Sequence, residues 1–242
     1  MKVNTSKFIT KSPVETEYGI FRFLTIEEYI DYQESLSLIS LGTLNLYYSY
    51  KQILKNPTQE EKDFLKVFKD TPLRQVVLQD MSLLNKYLEL IDRIIVFKED
   101  FDIGHVFSTD EIFMDMRKII MDMNSVKEEK AFYNEELQVG LDRKKKMQLS
   151  KSGESVTIED IITCLATMTT NSLEQVMNMT VYQAQAMYQR IAVIEDYKAN
   201  VIFATVDNDR KVESWSKHID MFKEDSKDGI TRSQFEANMG GF

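Results

Sequence analysis

Chemistry in a protein needs side chains that attack, exchange protons near neutral pH or hold metal, and this sequence offers few. It has two histidines, His105 and His218, and one cysteine, Cys164, in 242 residues. His105 follows Gly104 in KEDFDIGHV, a loop or hairpin composition, and reads as a turn residue. A metal site would need further His, Cys or carboxylate residues at ligand spacing. Cys164 lies inside an apolar helical pattern and reads as a small core residue. With no histidine or basic pocket close to it in sequence, nothing marks it as a reactive thiol. A single cysteine makes no disulfide within the chain and fits a reducing compartment. EDSKDGITRSQF invites calcium, because placing Gly229 sixth puts Glu224, Ser226 and Asp228 at the first, third and fifth positions. The twelfth position must be a bidentate carboxylate and is Phe235, so calcium is rejected. A Gly-rich phosphate loop and a Ser–His or Cys–His pairing are absent from the sequence. The expectation is a non-enzymatic protein without cofactor or metal.

The elements that carry these residues are mostly helices. Three Pro and eight Gly in the whole chain leave few breakers. Thirty Lys+Arg stand against 39 Asp+Glu, a net charge of −9, which disfavours general binding to a phosphate backbone. No run approaches the roughly 20 apolar residues of a membrane span. MKVNTSKFITKSP lacks an apolar core, so no signal peptide is expected. The expected fold is mainly α, helical and two-part, with a small β-hairpin near the N-terminus.

The chain is organised around Thr157 to Asp207. Thr157 with Asp160, Ser172 with Gln175 and Thr180 with Gln183 form successive capping boxes or near variants. They predict helices over 158–169, 173–178 and from 181 onward. The last carries Val181, Ala184, Tyr188, Ile191, Ile194, Tyr197 and Val201 on one wide face that needs a partner surface. Read as a helix-turn-helix, its start would need basic and amide residues, and Val181, Tyr182 and Ala184 stand there instead. No nucleic-acid partner is expected.

Upstream, Phe8 to Thr10 and Tyr18 to Leu24 read as two short strands joined through Ser12-Pro13. Thr25 with Glu28 starts a helix to about Ser35, and Leu36 to Tyr50 reads as short pieces broken at Gly42. Tyr47, Tyr48 and Tyr50 form either an aromatic contact surface or core with hydroxyls at the rim. Asn56-Pro57 and Thr71-Pro72 mark further helix starts. Leu73 to Phe97 follows as one long segment, with Ile94 to Phe97 as a strand.

Ser108 with Glu111 caps a helix whose Ile112, Phe113, Met116, Ile119, Ile120 and Met123 form one stripe. The stripe is either core or a methionine-rich binding surface. Val126 to Leu149 reads as an exposed connector ending in Arg143-Lys144-Lys145-Lys146, followed by the linker SKSGES. These features divide the chain into an N-terminal helical domain, 1–124, a charged connector, 125–155, and a C-terminal helical domain, 156–242. Val212 to Phe222 predicts a short amphipathic helix with Trp215, Ile219 and Phe222 inward, and Thr231 with Gln234 caps a last one.

Ser172-Leu173-Glu174-Gln175-Val176, then Met179-Thr180 and Tyr182-Gln183, resemble the tail assembly chaperones and related small tail proteins of long-tailed bacteriophages of Gram-positive bacteria. The resemblance spans about 156–242. It implies a helical, oligomerising factor in the host cytoplasm that binds the tape measure protein while tail tube protein polymerises around it. Alternatives are a structural component of the virion tail or baseplate, and a DNA-binding regulator. Helix-in-groove contact would use Met116, Ile120 and Met123 on one helix and Tyr182, Tyr188, Ile191 and Tyr197 on the other.

Overall fold

Helices begin where a side-chain oxygen can accept from the orphan N–H groups of a first turn, and this chain supplies such oxygens repeatedly. The computed structural model describes residues 6–54, 57–152 (main chain only for 148–152), 156–206, 212–219 and 221. The order is α1 (Ser6–Thr10), β1 (Val14–Glu15), β2 (Gly19–Phe21), α2 (Ile26–Asp31), α3 (Gln33–Ile39), α4 (Thr43–Ile53), α5 (Gln59–Asp70), α6 (Leu73–Gln79) and α7 (Met81–Ile94). Then come β3 (Ile95–Phe97), α8 (Ile103–Val106), α9 (Asp110–Met123), α10 (Glu135–Ser152), α11 (Ile158–Met168), α12 (Leu173–Met177) and α13 (Val181–Ala204). Helix dominates the described residues. None of the helices among the described residues is long and apolar enough to cross a membrane.

The expected hairpin exists, with its second strand, β2, inside the expected Tyr18 to Leu24 and a different first strand. Phe8 to Thr10 belongs to α1, where Phe8 is buried beneath Phe23 and Tyr182, each ring centroid 5.2 Å away. β1 pairs antiparallel with β2, Val14 opposite Phe21, and β2 pairs antiparallel with β3, Ile20 opposite Val96. Gly19 permits that second pairing, because a Cβ there would collide with the Val96 carbonyl oxygen. The strand expected at Ile94 to Phe97 is thus β3, the third of the sheet.

Several helix starts shift by one or two residues. Thr109, not Ser108, caps α9, accepting from Ile112 N, while the Ser108 hydroxyl turns back to His105 O. Thr58 caps α5 in a box with Glu61, and Asn56 lies outside the described residues. The Thr71 hydroxyl donates to Val67 O, which leaves Pro72 as the N-cap of α6 without a side-chain bond. Asp80 splits the long segment from Leu73, because its carboxylate accepts from Ser82 N and Leu83 N and starts α7. The C-terminal expectations from Phe222 onward, the acidic turn and last helix included, lie outside the described residues, as do Gly153 to Ser155 of the linker.

Contacts divide the chain between Tyr188 and Gln189, within α13. The expected C-terminal domain, 156–242, spans that division. In the first unit α3 packs on α7 and α9, and α6 packs on the same two helices. Leu36, Ile39, Leu90, Ile91, Ile94, Phe113, Met116 and Ile120 form the buried centre, with Tyr87 stacked on Phe113 at 5.4 Å. Each such side chain removed from water contributes about 1.5–3 kcal/mol.

Candidate partner-binding surface

Met116, Ile120 and Met123 recur on one face of α9 and are all buried. The stripe finds its partner inside the chain, so these residues are core and present nothing to a second protein. The arginine between them, Arg117, is buried as well.

Tyr182 is also buried, at the start of α13. A frame of hydrogen bonds holds that start in place. Thr180 Oγ1 accepts from Gln183 N at 3.1 Å, and Gln183 Oε1 accepts from Thr180 N at 2.9 Å. The same glutamine donates from Nε2 to Ile9 O at 2.7 Å, and Lys11 Nζ donates to Asn178 O at 2.9 Å. Ile26 N donates to Met179 O at 2.8 Å beside an antiparallel bridge between Thr25 and Thr180. The caps of α2 and α13 therefore meet, and Val181, Tyr182 and Ala184 are packed where a helix-turn-helix would show its reading residues.

Tyr188 is half-buried in the first unit, and Ile191 and Tyr197 are half-buried in the second. The seven residues singled out from sequence thus fall in two units and form no single exposed patch. Within the second unit, Arg190 Nη1 donates to Trp215 O at 2.7 Å and Lys217 O at 2.9 Å. A shallow groove of about 260 Å³ is lined there by Ala192, Val193, Asp196, Glu213, Ser214 and Lys217. The short helix expected at Val212 to Phe222 does not form among its described residues, and Trp215 is half exposed. Open aliphatic side chains occur in both units, among them Ile53, Val67 and Val96 in the first and, at and just beyond the end of α13, Val201, Ile202 at 68% and Val206 at 84% exposure in the second. The signal was in the sequence. Val201-Ile202-Phe203 are consecutive on a helix, so they spread over more than half its circumference and cannot all face one neighbour.

His105 and the tyrosines of α4 make contacts within the fold. His105 Nδ1 lies 2.8 Å from Asp102 Oδ1 in the capping box of α8, and hydrogen bonding to His105 holds the Asp102 carboxyl below its usual range. Cys164 is half-buried and His218 exposed. Tyr47 Oη donates to Glu135 Oε1 at 3.2 Å, Tyr48 Oη to Phe132 O at 2.7 Å and Tyr50 Oη to Asp80 Oδ2 at 2.8 Å. The three tyrosines therefore tie elements of this chain together.

The model of the YomV N-terminal domain matches residues 3–133, and that of the YomV second domain matches residues 143–220. The chain is similar to the SPbeta prophage-derived uncharacterized protein YomV of Bacillus subtilis (strain 168), at 28% identity over 222 residues, 90% of each protein. No solved structure matches it.

Proposed function

The chain belongs to the YomV family, and on that premise we propose that it is a non-enzymatic, phage-derived protein that works through protein–protein contact in tail assembly. The prophage origin of the similar Bacillus subtilis protein supports the phage setting. The resemblance of Ser172 to Gln183 to tail assembly chaperones supports the narrower role. One structural observation supports a contact surface here, the exposure of Val201 and Ile202 at the end of α13 and of Val206 just beyond it. Exposed apolar side chains on a helix suit an amphipathic helical partner, which the tape measure protein would provide. In this reading the protein acts in the host cytoplasm as an oligomer and leaves before the virion is complete.

Mass spectrometry of purified particles against infected-cell lysate tests the role. Abundance in lysate with absence from particles supports an assembly factor. Stoichiometric presence in particles replaces it with a structural tail or baseplate component. Co-expression with a tape measure fragment should keep that fragment soluble, and its precipitation regardless would end the chaperone reading.

A further inference from the structure

We infer that Ser125 to Asn134 is a strap that opens as one unit from the first unit's helical body, with the Arg117–Glu128 ion pair as its catch. The segment leaves α9 through Ser125, which adopts a left-handed conformation at φ 55°. Its anchor point is firm. Asn124 is buried and donates from Nδ2 to Ile120 O at 2.8 Å, and Val126 N donates to Met121 O at 2.9 Å. Beyond that point the strap is largely exposed, including Phe132 and Tyr133.

Polar tethers hold it instead of apolar burial. Glu129 N donates to Ser40 O at 3.2 Å, and Tyr48 Oη donates to Phe132 O at 2.7 Å. Lys69 Nζ donates to Tyr133 O at 2.6 Å and lies over the Tyr133 ring at 3.8 Å. Water can replace each of these bonds at small cost, so a segment held this way belongs to the low-stability end of a fold.

The catch is different in kind. Arg117 Nη1 donates to Glu128 Oε1 at 3.1 Å, with Arg117 only 3% exposed and Glu128 52% exposed. Arg117 Nε is pinned to Ile39 O at 2.8 Å, so the guanidinium stays in the body when the strap lifts. Opening strands a buried charge without its carboxylate, and that step dominates the cost. Glu128 also helps wall a cavity of about 300 Å³ lined by Gly42, Thr43, Leu73, Phe113 and Met114, so opening uncovers it.

Native-state hydrogen exchange of the full chain, wild type against Glu128→Gln, tests the device. The expected result is faster exchange across 127–134 by about fivefold in the variant, with α7 and α9 unchanged. Trypsin cleavage after Lys127 and Lys130 should accelerate in parallel. Tyr48→Phe, which removes one exposed tether, should raise strap exchange by less. Unchanged strap exchange in Glu128→Gln would overturn the catch. A rise shared equally by α7 and α9 would overturn the strap as a separable unit.

Discussion

Arg117 Nε donates to the main-chain carbonyl of Ile39 across 2.8 Å, and this buried bond fastens α9 to the C-terminal end of α3. The last carbonyls of a helix have no intrahelical donor, and a cation there also suits the helix dipole. Neither residue advertises the other in sequence. The pairing appears only when α3 and α9 pack.

Arg117→Ala should therefore cost about 2–4 kcal/mol, combining a lost charged hydrogen bond with a void among core side chains. Glu128→Gln should cost only about 1 kcal/mol, because Glu128 remains half in water and its replacement still accepts a bond. Urea unfolding of the two variants checks the ranking. Equal losses would show that the ion pair, not the bond to Ile39, is the main contribution.

The meeting of caps at Thr25 and Thr180 predicts unequal costs for the same substitution. Thr58→Ala, at an exposed cap, should lose about 0.5–1 kcal/mol. Thr180→Ala should lose about 1–2 kcal/mol, since Thr180 is buried and Gln183 N would be left without its acceptor. Thermal or chemical unfolding measures both, and a cheaper Thr180 variant would contradict a stabilising role for the meeting of caps.

At acid pH the fold should weaken through Glu28. Burial pushes its carboxyl up, but the bond from Thr25 N and the Arg93 and Arg22 guanidinium groups outweigh burial and leave it below the ordinary glutamate range. A carboxyl lowered in the folded state stabilises above its unfolded value, and that stability is lost as pH falls through the folded value. Stability measured from pH 6 downward should decline less in Glu28→Gln than in wild type. Parallel curves would remove Glu28 from the acid response.

At alkaline pH the marker is Tyr87. Burial pushes its phenol up to about 12 against the opposing pull of Arg117, and its hydroxyl has no hydrogen-bond partner of good geometry. A phenol raised in the folded state contributes stability in full below 10.0, which is lost as pH rises from 10.0 towards about 12. Tyr87→Phe should flatten that decline and delete a late-ionising tyrosine from an ultraviolet titration. A deletion from the early part of the titration would refute the assignment.

The end of α13 should tolerate charge in the isolated protein. Ile202→Lys and Val206→Lys should each change stability by less than about 0.5 kcal/mol, as exposed sites do. Under the proposed function they should also abolish rescue of a tape measure fragment. Retained rescue would move the contact surface elsewhere.

The sequence by itself determined whatever depends on neighbours within a turn or two. Thr25 with Glu28, Thr157 with Asp160, Ser172 with Gln175 and Thr180 with Gln183 all form capping boxes, because the hydroxyl and its returning side chain are three residues apart. The helical class, the break at Gly42 and the apolar stripe of α9 were legible for the same reason. Adjacent hydroxyls defeated that local reading at Ser108 and Thr109, where only the path of the preceding turn decides which hydroxyl faces the helix. Tertiary structure alone decided the rest. It turned α1 into a helix by burying Phe8 under Tyr182, and brought β3 to β2 across more than seventy residues of sequence. It also converted Met116, Ile120 and Met123 from surface candidates to core while leaving Ile202 and Val206 open. Periodicity says that a face needs a partner, but which surface covers it is settled by packing among elements distant in sequence.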